Sequence, residues 1–196
     1  MEFMELLSRR RSCRRYTAEP VSREALDALL LAANAAPIGS NRTEDIHLTV
    51  VTDRSVLDAL ALAMNRRRQD KAAMTNITEK IADPNAGLRP DFDPFYGAPA
   101  VIFVSHRKQD VQPGIEYSNV MSVAMAMHLE AAELGLGSVF MWGSLEAMRL
   151  YPEYDRTGLL ELPEDFEPLL GLAVGHAAVP AEPRPLKADR LGINYI

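Results

Sequence analysis

The run Ala100-Val101-Ile102-Phe103-Val104 limits the architecture of this chain more than any other segment. A strand whose successive side chains are all apolar has no face to turn to water. It must therefore lie inside a sheet covered on both sides. The neighbouring sequence supplies the covering. Ser22 is a candidate N-cap, with Glu24 in the positive first turn of a helix whose apolar face is Ala25, Leu26, Leu29, Leu30 and Ala33. Pro37 stops that helix, and Gly39, Ser40 and Asn41 form a loop. Helical spacing also predicts a short stripe at Phe3, Met4, Leu6 and Leu7, a helix over 55–64 continued by polar residues 65–83, a long Met- and Ala-rich helix over 115–134 stopped by Gly135 or Gly137, and a short helix over 145–150.

Further strands are predicted over 46–51, 138–141 and 169–174, and an extended connection over 11–21. Pro180, Pro183 and Pro185 keep the tail out of a regular helix. Interleaved helices and strands predict an α/β or α+β domain with a covered sheet. No linker in the 196 residues is long enough to divide them, so 1–196 is expected to be one domain. An extended tail of this kind also suits a chain that lies on a partner subunit.

The charges are unevenly placed. Lys and Arg number 21 against 27 Asp and Glu, a formal net charge of -6, yet cations crowd into Arg9-Arg10-Arg11-Ser12-Cys13-Arg14-Arg15 and Asn65-Arg66-Arg67-Arg68. The net acidity argues against a general nucleic-acid binder. The first run is either a solvated basic surface or a phosphate site. In an extended segment Arg10, Ser12 and Arg14 alternate onto one face and offer donors that suit a doubly charged anion. In the second run Asn65 and Arg68 share a helix face, where an amide beside a guanidinium can meet a planar ring edge; a surface patch at a helix end is the plainer alternative.

Other chemistries have less behind them. Cys13 has no His partner near it in sequence, the histidines at 47, 106, 128 and 176 lack metal-ligand spacing, and no carboxylate pair forms an acid/base dyad. Gly135-Leu136-Gly137 follows a helix rather than a strand, so it is a helix stop and no dinucleotide fingerprint. No apolar run approaches the ~18 residues of a membrane span. With one Cys and no signal-peptide pattern at the N-terminus, the chain is expected to be cytoplasmic.

Taken in order, several blocks resemble the nitroreductase family of flavin enzymes. They are Arg10-Arg11-Ser12-Cys13-Arg14-Arg15-Tyr16, Ala36-Pro37-Ile38-Gly39-Ser40-Asn41, Phe95-Tyr96-Gly97-Ala98-Pro99-Ala100-Val101-Ile102, Ala131-Ala132-Glu133-Leu134-Gly135-Leu136-Gly137-Ser138 and Leu170-Gly171-Leu172-Ala173-Val174-Gly175-His176. The resemblance implies an α+β fold with a mostly antiparallel sheet and an intertwined homodimer with FMN at its interface. It also implies hydride transfer from NADH or NADPH to a small conjugated acceptor, nitroaromatic or quinone-like, by a ping-pong cycle with no catalytic side chain. By position it implies that Arg10, Arg11, Ser12, Arg14 and Arg184 hold the FMN phosphate, and that Asn65 and Arg68 meet the pyrimidine edge. Trp142 and Gly143 would bring backbone N–H groups near flavin N5, with Pro37, Ile38, Gly39 and Asn41 coming from the other subunit. Neither a metal, a nucleic acid nor a membrane is implied. Alternatives within the same resemblance are an FMN-binding module without efficient turnover, or a relative specialised to consume flavin or to dehalogenate. After Asn41 the chain reads Arg42-Thr43-Glu44-Asp45, where many relatives have Gln-Pro-Trp.

Overall fold

A computed structural model describes residues 2–74, 93–142, 145 and 156–196, with the backbone alone for 65–74. Its helices are α1 (Phe3–Arg9), α2 (Arg23–Asn34), α3 (Arg54–Met74) and α4 (Ile115–Glu133). Its strands are β1 (Ile46–Val51), β2 (Ala100–Arg107), β3 (Gly137–Met141) and β4 (Phe166–Gly175). The sheet runs in the order β1-β2-β4-β3 and every pairing is antiparallel. That settles the choice between α/β and α+β in favour of α+β.

The apolar run at 100–104 is buried on both faces. Ala100, Ile102 and Val104 join Leu170, Leu172 and Val174 of β4 beneath α2 and α4, which contribute Leu29, Val120, Ala124 and Met127. Val101 and Phe103 face the other way, with Ala173 and Met141, onto Leu57, Leu60 and Met64 of α3. Fully burying side chains of this size is worth about 1.5–3 kcal/mol each, so the layering follows directly from the sequence pattern. The start of α2 is also as expected: Ser22 Oγ accepts the Ala25 N–H at 3.2 Å.

β3 begins one residue earlier than predicted, and two strands exceed their predicted lengths by more. β2 continues to Arg107 and β4 begins at Phe166, because these residues pair and the Arg107 guanidinium carbon lies 4.8 Å above the Phe166 ring centre. A register shift between Val104 and Ser105 lets Pro168, which has no N–H to donate, oppose Ser105. The predicted helical continuation over 75–83 and the helix over 146–150 lie outside the described residues. No described helix is long and apolar enough to cross a membrane.

The extended connection after α1 and the proline-rich tail hold each other against the sheet. Cys13 N–H donates to Ser138 O at 2.9 Å beside a parallel bridge from Ser12 to Ser138. Thr17 N–H donates to His176 O, and Ala178 N–H to Arg15 O, both at 2.9 Å. Farther along, Arg184 N–H donates to Ser8 O at 3.0 Å and Ser8 Oγ–H donates back to Arg184 O at 2.6 Å. Gly137 makes the first of these contacts possible, since a Cβ there would stand 2.7 Å from Cys13 Sγ.

Candidate cofactor site

Helix α4 organises the site through two opposite faces. Tyr117 and His128 are eleven residues apart, about three turns, so they project within roughly 20° of each other. His128 is buried, with 2% of its surface exposed. Its Nε2 accepts from Arg10 Nη1 at 2.7 Å, and its Nδ1–H donates to Ser138 Oγ. Burial first, and the Arg10 charge second, push the imidazole down to about 4. At neutral pH the ring is therefore uncharged, and the two contacts require its proton on Nδ1.

Around Arg10 the cations are crowded. Burial, and then Arg184, Arg11 and Arg190 in that order, lower the guanidinium's hold on its proton. Arg11 Nη1–H donates to the Glu182 carbonyl at 2.9 Å, which ties the connection to the tail. A cavity of about 550 Å³ opens here, with Arg11, Ser12, Cys13 and Arg14 on one wall and Gly137 and Ser138 opposite. Arg184 lines a second cavity with Met4, Leu7 and Arg190. Strict alternation of Arg10, Ser12 and Arg14 onto one face is not observed, because consecutive residues 11–15 all line the first cavity. The backbone of the segment pairs through isolated bridges, Ser12 with Ser138 of β3 and Tyr16 with Ala177, so no continuous ladder enforces a two-residue period. Arg9 and Arg15 also line the cavity, although Arg9 is paired to Glu5 at 2.8 Å.

At the far end of β3 stands Trp142, four residues beyond Ser138 and so roughly 13 Å along the strand direction. It is 41% exposed, and its ring stacks at a tilt on Tyr117 with centroids 5.3 Å apart. Gly143 lies outside the described residues. Asn65 and Arg68 fall on the α3 backbone three positions apart, as expected, but their side chains are likewise outside the description.

The other face of α4 holds the 37–41 loop. Asn119 Oδ1 accepts the Gly39 N–H at 2.9 Å, and Ser122 Oγ–H donates to Pro37 O at 2.8 Å. Asn119 Nδ2–H reaches back to His106 Nε2 at 3.2 Å, while His106 Nδ1–H donates to the Arg107 carbonyl at 2.7 Å. Ser40 and Asn41 both have φ of 55°, the left-handed turn that carries the chain past Ile38. Residues 115, 119 and 122 point nearly opposite to 117 and 128 around the helix. Within one protomer, then, Pro37, Ile38, Gly39 and Asn41 lie across α4 from the arginine segment and do not join it.

The Nitroreductase family model matches residues 7–176, most of the chain. The chain belongs to the nitroreductase family. An FMN reductase (NAD(P)H) of Bacillus subtilis is 31% identical over 200 residues, spanning 94% of this chain and 69% of that protein. Among solved structures, an FMN-bound nitroreductase of Bacteroides fragilis superposes with a TM-score of 0.79 at 22% identity, covering 100% of both chains. One from Desulfitobacterium hafniense does so at 0.77 and 23% identity, over 98% of this chain and 97% of that one. The antiparallel α+β fold is thus that of nitroreductases.

Two parts of the site in this family member were not legible in the sequence. His128 and Ser138 behind the arginine segment, and Asn119 and His106 behind the loop, gave no spacing signal. The one available hint was that Tyr117 and His128 repeat at three helical turns.

Proposed function

We propose that the protein is an FMN-dependent oxidoreductase that takes hydride from NADH or NADPH and delivers it to a small conjugated acceptor, nitroaromatic or quinone-like. The supporting observation is the crowding of Arg11, Arg184 and Arg190 around Arg10, with no carboxylate among the groups that shift it, in a chain of the nitroreductase family; Arg11 lines one cavity there, and Arg184 and Arg190 line another. Like charges held this close repel one another, and a dianion relieves the repulsion. The donor set therefore fits the phosphate of FMN.

In this reading Arg10, Arg11, Ser12, Arg14 and Arg184 bind the phosphate. Asn65 and Arg68 meet the pyrimidine edge, and the backbone at Trp142 and Gly143 approaches the ring near N5. FMN, when bound, supplies two-electron hydride chemistry at that ring, which is why the chain needs no acid/base dyad. Arg68 would favour the reduced, more negative form by its charge. Nicotinamide and acceptor would occupy the same open side in turn, giving ping-pong kinetics. A homodimer completes each site in this reading, because the 37–41 loop is pinned across α4 from its own arginine segment with Pro37 and Asn41 exposed toward a partner's.

A visible spectrum of the purified protein tests this. The protein should be yellow, and NADH or NADPH should bleach it without oxygen. A colourless protein that takes up no added FMN would end the proposal.

A further inference from the structure

We infer that His128 is a positioning residue for the phosphate end of the site, acting through Arg10. The inference rests on the reading of Arg10 as an FMN phosphate ligand. Arg10 leaves α1 with five donors and a long flexible stem, so an unanchored guanidinium would sample many positions. His128 Nε2 takes one of its N–H groups at 2.7 Å. That acceptor exists in only one neutral tautomer, which Arg10 requires because a guanidinium can only donate, and the Ser138 hydroxyl receives the Nδ1–H that this tautomer carries. The imidazole is held from the side by Phe140, with ring centroids 4.7 Å apart.

Ser138 is also where the arginine segment meets β3, through the Ser12 bridge and the Cys13 N–H. A single residue therefore sets the positions of two of the phosphate donors. It fixes Ser12 through the backbone and Arg10 through the His128 ring. The two are locked at one separation before any anion arrives, which lowers the ordering cost of binding. A neutral imidazole suits this task because it orients Arg10 without cancelling the charge that the phosphate needs.

The test is competition between FMN and riboflavin, which share the ring but differ in the phosphate. Purified full-length protein is equilibrated with both flavins, and the bound ratio is measured. Arg10→Ala should reduce the preference for FMN. His128→Phe, which keeps the stack on Phe140 but removes the acceptor, should reduce it about tenfold, the scale of one hydrogen bond to a charged group. His128→Gln, which restores an acceptor, should recover part of that loss. In the Arg10→Ala background His128→Phe should change nothing further. Ser138→Ala, which removes no core volume of consequence, gives the same directional test if His128→Phe does not fold. If His128→Phe weakens both flavins alike while Arg10→Ala still lowers the FMN preference, His128 is merely structural and the inference fails with the site reading intact. If Arg10→Ala leaves the preference unchanged, the phosphate lies elsewhere and both fail.

Discussion

Asn119 and Gly39 are joined by a 2.9 Å hydrogen bond that spans 80 residues of sequence and fixes the loop to the middle of the fold. The same amide group also reaches the buried His106, so it satisfies two groups at once. Asn119→Ala leaves both unpaired. Unmet buried groups of this kind cost about 1–3 kcal/mol, and chemical denaturation should show a loss of that size. A change below a few tenths would mean that the loop is held by its other contacts.

The opposite faces of α4 lead to a complementation experiment. A chain carrying Arg14→Ala and a chain carrying Pro37→Trp, at an exposed position of the loop, should each lose most activity at limiting FMN. Co-expressed, they should recover about a quarter of the native sites, since half of randomly paired twofold dimers are mixed and each mixed dimer has one intact site. Activity no higher than that of either variant alone would show that the loop serves its own protomer.

Arg14→Ala should weaken FMN binding by about 1.5–3 kcal/mol, the range for a hydrogen bond to a charged partner. Flavin fluorescence titration measures it directly. Undiminished affinity would move the phosphate away from the 11–15 wall of the cavity.

His128 also makes a prediction about pH. Its ring titrates near 4 in the folded protein against an ordinary value of 6.5. Between those values the unfolded chain binds a proton that the native chain refuses, so acid favours unfolding. The stability contributed by the neutral ring is complete above about pH 6.5 and is lost progressively as the pH falls to about 4. It amounts to about 3 kcal/mol at most. Denaturation of flavin-free protein across this window should show a steeper acid loss in the native sequence than in His128→Phe. Parallel curves would refute it.

Arg68→Ala should lower the flavin midpoint potential, because the reduced ring loses a nearby cation. Spectroelectrochemistry that finds an unaltered potential would remove Arg68 from the ring edge.

What could be read from the sequence was whatever depends on near neighbours. The all-apolar strand at 100–104, the cap at Ser22 and the proline-bounded loop each carry their cause within a few residues, and each is observed. The arginine run was conspicuous because it is cationic in an acidic chain. Its geometry was less legible: alternation requires a continuous ladder, and the segment has only isolated bridges. Arg10 with His128 and Gly39 with Asn119 were hidden for a different reason. Each pair is created by tertiary contact across 118 and 80 residues respectively, where local periodicity carries no information. The extra length of β2 and β4 likewise arises from the pairing of Arg107 with Phe166.

The clasp between Ser8 and Arg184 has a consequence for biosynthesis. Those two residues exchange a pair of hydrogen bonds across 176 positions, and Arg184 is one of the cations crowded around Arg10. A chain being translated contains the arginine segment long before it contains Arg184, which ties that segment down. The crowding proposed to bind a phosphate therefore assembles only once residue 184 has emerged.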